Sequence, residues 1–391
     1  VTPAEPVTPA EPVTPTEPVT PTEPVTPTEP VTPTEPVTPA EPLTPTEPVT
    51  PIEPVNPEAH QPKFVVRPSN INAFDPQIMA IGLQKPTELS LQRVDWALNP
   101  SVTSTCEILG PCFNDSVMWI MSHTNKGSGH SSGLNVDING VSIGGYIEND
   151  STRVGLSVDR SDFNFSTDGA SSSASRYSFN VFGSQKLNDI VLSGSLGYTY
   201  SPTDTTRQVI SSDISLGLGK STASAEAIST AISASLPLTY GEMRIVTKIG
   251  IDSLNVYYSG FDEKMSANNE IFGTSIGKMK VRGNSSRYTS VQPNVGVTVS
   301  NTFTVAGKEV MPSLNMTYRR ELVNDNDSKV YSNDSTPFIV NGDTLGADIV
   351  SYSVGFDVKI SENVRATLSY TGSNQQGYQY QDGMARINFS F

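Results

Sequence analysis

A period of two is the strongest constraint in this sequence. Along its final stretch, Ala385, Ile387, Phe389 and Phe391 fall on one face of an extended chain, and Arg386, Asn388 and Ser390 fall on the other. Successive side chains of a strand point to opposite faces, so this pattern specifies a strand with one apolar side. The same alternation appears in Val364–Tyr370, in Val350–Ile360 and in Val291–Val299, and again around Leu314 and Leu196. It reads as twelve strands, beginning near residues 116, 134, 152, 176, 190, 226, 243, 286, 309, 347, 363 and 380. Phase slips near Gly140 and Ser253 read as β-bulges.

Alternation alone fits a soluble sandwich as well as a membrane barrel, and the connections separate the two. After the even strands they are short, as at Asn149-Asp150, Asn188-Asp189 and Tyr240-Gly241-Glu242. After the odd strands most are long and rich in Ser, Asn, Asp and Gly, as in 202–225, 258–285 and 323–346. Outer-membrane barrels have that parity, with short turns on one side and long loops on the other. No stretch approaches the ~18–20 apolar residues that a membrane helix needs, so a membrane would be crossed by strands. Unpaired backbone amides are costly in hydrocarbon, so such a sheet must close. Tyr146, Tyr177, Tyr198, Tyr200, Tyr318, Tyr352 and Tyr370 lie near strand ends or on outward positions, where an aromatic girdle would sit. The expected fold class is therefore all-β: a twelve-stranded antiparallel transmembrane barrel over residues 116–391.

Upstream the chemistry changes. Residues 1–54 are nine copies of VTPAEP or VTPTEP, varied at Leu43 and Ile52. Proline at every third position excludes helix and sheet and leaves a disordered, polyproline-II-like rod. We assign 1–60 to a stalk and 61–115 to a linker and pore-lining segment. Within the linker, Thr87–Leu98 (TELSLQRVDWAL) offers a short helix in or near the pore, with Thr87 as N-cap and Asn99-Pro100 as its end. The repeats also explain the charge. Of the net −15, −9 comes from their glutamates and −6 from the rest, which leaves no basic footprint for nucleic acid. Cys106 and Cys112 are close enough in sequence for a local disulfide, with two free thiols as the alternative.

Several segments together resemble the translocator domain of autotransporters, the type V secretion class. MWIMSH at 118–123 is similar to a Trp-containing first strand, and SIGGYIENDSTRVGLSVDRSDFNFS at 142–166 to a Gly-rich second and third strand. VMPSLNMTYRRE at 310–321 and the terminal RINFSF at 386–391 complete the likeness. The resemblance implies a barrel in the bacterial outer membrane whose pore holds the segment just upstream. It also implies that an N-terminal passenger reaches the cell surface, that the barrel-assembly machinery reads Phe391 and its alternating neighbours, and that periplasmic chaperones are partners. Because the chain opens at Val1 inside a repeat, we expect 1–60 to be the membrane-proximal end of a longer passenger.

Chemistry-bearing motifs are sparse. The three histidines, His60, His123 and His130, suggest no metal set, and His123 and His130 read as solvated residues of the first loop. The run Asn324-Asp325-Asn326-Asp327 with Asp334 lacks the spacing of a calcium loop and reads as a hydrated tip. Asn114-Asp115, just before the first strand, is either an ordinary turn or a self-cleavage junction. No catalytic residue, cofactor or metal site is assigned. Arg386, Arg365, Lys359, Asp357, Arg319 and Lys248 alternate with the apolar face and should point inward, keeping a pore wet. The leading expectation is a monomeric outer-membrane translocator, not an enzyme, that anchors a passenger without nucleotide hydrolysis. Its partners would be membrane lipid, the passenger and the assembly factors. The rivals are a porin-like or adhesive barrel with a periplasmic Pro-rich arm, and an outer-membrane hydrolase.

Overall fold

The computed structural model describes residues 115–129, 133–211, 214–266, 270–271, 274–275, 280–326, 329–333, 336–340 and 345–391. The stalk, the linker with its candidate helix, Cys106, Cys112, His60, His130, Asn114, Asp327 and Asp334 lie outside the described residues.

Twelve long strands form the frame: β1 (Asp115–Gly129), β2 (Asn135–Glu148), β3 (Thr152–Thr167), β4 (Ala170–Leu187), β5 (Ile190–Ser211) and β6 (Ile214–Tyr240). They continue with β7 (Met243–Tyr258), β8 (Ser286–Asn301), β9 (Lys308–Arg320), β10 (Asp348–Ser361), β11 (Val364–Gln375) and β12 (Tyr378–Ser390). Each pairs antiparallel with its sequence neighbours, and β1 pairs with β12, so the sheet closes. The pairing is staggered, as closure requires of tilted strands. A path of partners started at Asp115 returns to β1 at Gly129 after one circuit. At the seam, the Phe391 N–H donates to the Ser116 carbonyl at 2.9 Å, which pins the last residue to the first strand.

Both chain ends of the barrel lie at one end, the turn end, with the links 149–151, 188–189, 241–242, 302–307 and 362–363. The last but one of these links, 302–307, ends in the two-residue turn Ala306-Gly307, whose φ values of 49° and 72° are both left-handed. That is the twist a two-residue hairpin favours. At the opposite, loop end, 259–285 and 321–347 are long, and short strands within them (261–262, 281–283, 329–333 and 336–340) pair into a small separate sheet.

Three expectations are corrected here. Residues 202–225 are not a loop. β5 and β6 run through them as a paired ribbon, joined only at 212–213, and β4 starts at Ala170, alongside the ribbon. The apolar alternation ends at the membrane edge, but backbone pairing does not. Gly140 and Ser253 carry no bulge, because register is continuous through both. The described shifts fall at Val209/Ile210 and Lys359/Ser361. What reverses at Gly140 is chemistry: Val141, Ile143 and Ile147 point outward, whereas Val136 and Ile138 are buried inside. Tyr146 also points inward, packed against Trp119, Met121 and Phe182, with the Arg153 guanidinium 4.5 Å over its ring. The other six girdle tyrosines are exposed on the outer face.

Candidate functional site: the barrel lumen

The interior changes along its height. In the half nearer the turn end it is lined mainly by hydroxyls, amides and paired ions, with one apolar patch of Trp119, Met121, Tyr146 and Phe182. On β4–β6 many of the inward residues are small: Ser178, Ser193, Ser195, Thr199, Ser229 and Ser233 are all buried. Across the lumen, β7–β12 contribute long ionic side chains. Arg319 lies 3.5 Å from Asp252, which also accepts from Asn294 Nδ2 at 3.1 Å. Arg365 bridges Asp357 at 2.9 Å and Glu309 at 2.8 Å, and Arg386 donates to Thr367 Oγ1 at 2.9 Å. All six inward ions expected from alternation sit on the inner face, and none is fully exposed. In the turn below β10, the hydrogen bond from Lys359 at 2.8 Å holds the Glu362 carboxyl below the usual carboxylate range.

A cluster that sequence reading missed lies on β1–β4. His123 is not a loop residue; it is 3 % exposed and points into the lumen from β1. Its Nε2 lies 2.8 Å from Asp159 Oδ2 on β3, which it reaches across Gly140, where a Cβ would collide with the imidazole. Ser161 donates to Asp159 Oδ1 at 2.6 Å. Arg176 on β4, fully buried, donates to Ser161 Oγ at 2.6 Å and lies 3.4 Å from Asp159. The signal was available: with Val154, Leu156 and Val158 outward, parity turns Asp159 inward. The arrangement holds charge and offers no nucleophile aimed at a cleft, and we assign it a structural role.

Nearer the loop end the inner face becomes apolar. Val136, Ile138, Phe163, Phe165, Leu254 and Val256 belong to one buried cluster that also takes in Tyr288, Leu345 and Tyr378. Above it, Arg207 from the ribbon makes a two-pronged pair with Glu263 (2.9 and 2.6 Å), and Glu263 also accepts the Val281 N–H at 2.9 Å. The long loop after β7 is thereby latched to the ribbon. A second latch is Glu321, which accepts from Ser290 Oγ, the Val291 N–H and Gln292 Nε2 at 2.5–3.0 Å, and so ties the start of the loop after β9 to β8. Among the described residues no group of three or more His, Cys, Asp or Glu is placed to hold a metal. Of the run at 324–327, the backbone of Asn324, Asp325 and Asn326 pairs with β8.

The outer face is apolar at the levels where the lumen is polar. Leu156, Ile232, Ile249, Leu314, Leu368 and many others are between a third and two thirds exposed. Among the described residues no helix is long and apolar enough to cross a membrane. An apolar outside around a polar inside, in a closed sheet, is the construction of a membrane barrel.

Comparison with known proteins agrees. The translocator domain of the autotransporter NalP from Neisseria meningitidis superposes with a TM-score of 0.61 at 12% identity, covering 82% of this chain and 99% of that one. The β domain of the Bordetella autotransporter BrkA gives a TM-score of 0.52 at 11% identity, covering 71% of this chain and all of that one. At such identities the likeness establishes the fold. A search of curated proteins found no match. A family model described as the autotransporter beta-domain matches residues 118–371. With most of its length matched and the barrel formed as described, this chain belongs to the autotransporter beta-domain family, whose barrels sit in the outer membrane.

Proposed function

We propose that the barrel carries an N-terminal passenger through its lumen to the cell surface and then anchors it there, with 1–60 as the stalk and 61–115 as the segment that remains in the pore. The observation that carries this reading is the lumen itself. At membrane level its lining is mostly polar and mixed in sign, so an unfolded chain meets neither a wholly greasy wall nor a single-sign field. The apolar inner ring toward the loop end suits a short amphipathic segment, and Leu89, Val94 and Leu98 of the linker give it one apolar stripe. The loop end would face outward and the turn end the periplasm. Outside the inner membrane no nucleotide supply exists, so passage would proceed without nucleotide hydrolysis. Chaperones and the barrel-assembly machinery would be its partners during insertion, and the finished barrel would be a monomer.

Protease digestion of intact cells, followed with an antibody to the VTPTEP repeat, tests this. Loss of the repeat while the outer membrane stays sealed is the expected result. Survival until the membrane is broken would place the arm in the periplasm and make the protein a barrel with an internal spacer.

A further inference from the structure

On β3 the outward side chains run Val154, Leu156 and Val158, then Arg160, with Asp162 and Asn164 beyond. Arg160 stands opposite Val141 on β2 and Tyr177 on β4, and its guanidinium carbon lies 6.0 Å from the centre of the Tyr177 ring. One outward step toward the turn end, Val158 stands between Ile143 and Phe179, all three exposed on the lipid face. Arg160 is therefore the boundary residue of this wall. A long basic side chain at such a place lays its stem on the apolar surface and lifts its head into the polar layer. The ring attracts the cation but leaves its N–H donors unused. Among the described residues Arg160 makes no ion pair or hydrogen bond.

Just beyond this boundary the wall is hollow. Ladder pairing sets Lys126 on β1, Asp137 on β2, Asn164 on β3, Ser173 on β4 and Asp204 on β5 in one row, all on the outer face. That row lines a trough of about 500 Å³, a size that small ligands and headgroups occupy. Asp137 already accepts from Asn139 Nδ2 at 2.8 Å. Asn164, Ser173 and Asp204 have no hydrogen bond among the described residues, so their side chains are available to a ligand.

The charges narrow the choice of ligand. A bare phosphate suits Arg160 but not Asp137, Asp162 and Asp204, which face the same side. A neutral sugar suits the carboxylates and amide, which exchange hydrogen bonds with hydroxyls, but leaves the guanidinium idle. A headgroup carrying phosphate on a sugar satisfies both, because a guanidinium forks onto phosphate oxygens. Asn164 lies roughly 13 Å beyond Arg160 along the strand, a span that a short sugar headgroup covers.

We propose that the outer wall of β1–β5 holds the headgroup of one outer-leaflet glycolipid, with a phosphate against Arg160 and sugar hydroxyls in the trough from Asn164 to Asp204. This rests on the barrel spanning a membrane with its loop end outward.

The test uses the full chain refolded into detergent micelles, with retained lipid counted by native mass spectrometry. The probes are lipid A with both phosphates, dephosphorylated lipid A and dioleoylphosphatidylglycerol. The expected result is one phosphorylated lipid A per barrel, held several-fold more tightly than phosphatidylglycerol. Arg160→Gln should remove most of that preference while leaving dephosphorylated lipid A unaffected. Ser173→Phe, which fills the trough, should weaken lipid A without weakening phosphatidylglycerol. A mobility shift on boiling checks that each variant has folded. Equal retention of phosphorylated lipid A by the parent and Arg160→Gln would overturn the proposal. So would its displacement by millimolar inorganic phosphate, which would mark a site for a free anion. A dimer in place of the lipid-bound monomer would also overturn it, since a second copy would then cover the wall. A folded chain that stays monomeric in water without detergent would instead refute the membrane reading, a failure distinct from that of the lipid site.

Discussion

The two levels of the barrel interior share a strand parity but not a chemistry. On β3, Ser157, Asp159 and Ser161 point inward at membrane level, and two residues farther along the same face stand Phe163 and Phe165. Outside, the order is reversed: Leu156 and Val158 face lipid, while Asp162 and Asn164 are exposed beyond it. Direction is set by alternation, but which side must be apolar is set by height. Where lipid surrounds the wall, the interior holds the polar groups. Where water surrounds it, the wall folds like a soluble sheet with its core inside. The barrel is thus a membrane protein below and a soluble one above, joined without a break in any of its first seven strands.

Substitutions that remove one side of this contrast should show it in stability, measured as denaturant midpoints of the refolded barrel. The largest effect is expected from Arg176→Ala, which leaves Asp159 and His123 buried with their polar partners reduced. Breaking a buried ion pair from one side costs about 3–5 kcal/mol. At the upper level Phe163→Ala should cost about 3 kcal/mol, as a core cavity does in a soluble protein. If Phe163→Ala is instead nearly neutral, the upper interior is not a core and the comparison fails. On the outer face, Leu156→Arg should cost about 2 kcal/mol, whereas Asn164→Arg on the same face of the same strand should stay within about 0.5 kcal/mol. Equal costs would mean that lipid reaches both levels. The one gain is expected at the turn end, where Ala306→Gly relieves a left-handed alanine and should stabilise by about 1 kcal/mol.

The same contrast explains what the sequence disclosed. Strand number, and ten of the twelve starting points to within about two residues, were legible because period two survives wherever one face meets lipid. The inward direction of Lys248, Asp357 and Arg386 followed from it. Legibility failed above the membrane. At Gly140 and Ser253 the apolar set crosses from the outer to the inner face without a change of register, which in sequence looks the same as an inserted residue. Residues 202–225 lost their apolar outer face and so read as loop, although Ser201, Thr203 and Thr205 still alternate as the buried set. His123 was read as solvated because its partner, Asp159, lies two strands away, and no local pattern announces a contact across Gly140. The latch between Arg207 and Glu263 depends on how a long loop returns, which alternation does not encode.

The bond from Phe391 to Ser116 bears on how the barrel comes into being. Hairpins between consecutive strands can form one at a time, each closing a short loop. The last pairing is different in kind, because it joins segments almost the full barrel sequence apart and closes the longest loop of all in one step. Until that step, every assembly of fewer strands has two raw edges, each able to recruit a foreign strand. The ring therefore has no stable smaller relative: losing Tyr378–Phe391 would leave an open sheet with an exposed edge on β11, not an eleven-stranded barrel. A chain built this way must be kept from its neighbours until its final residue has been made.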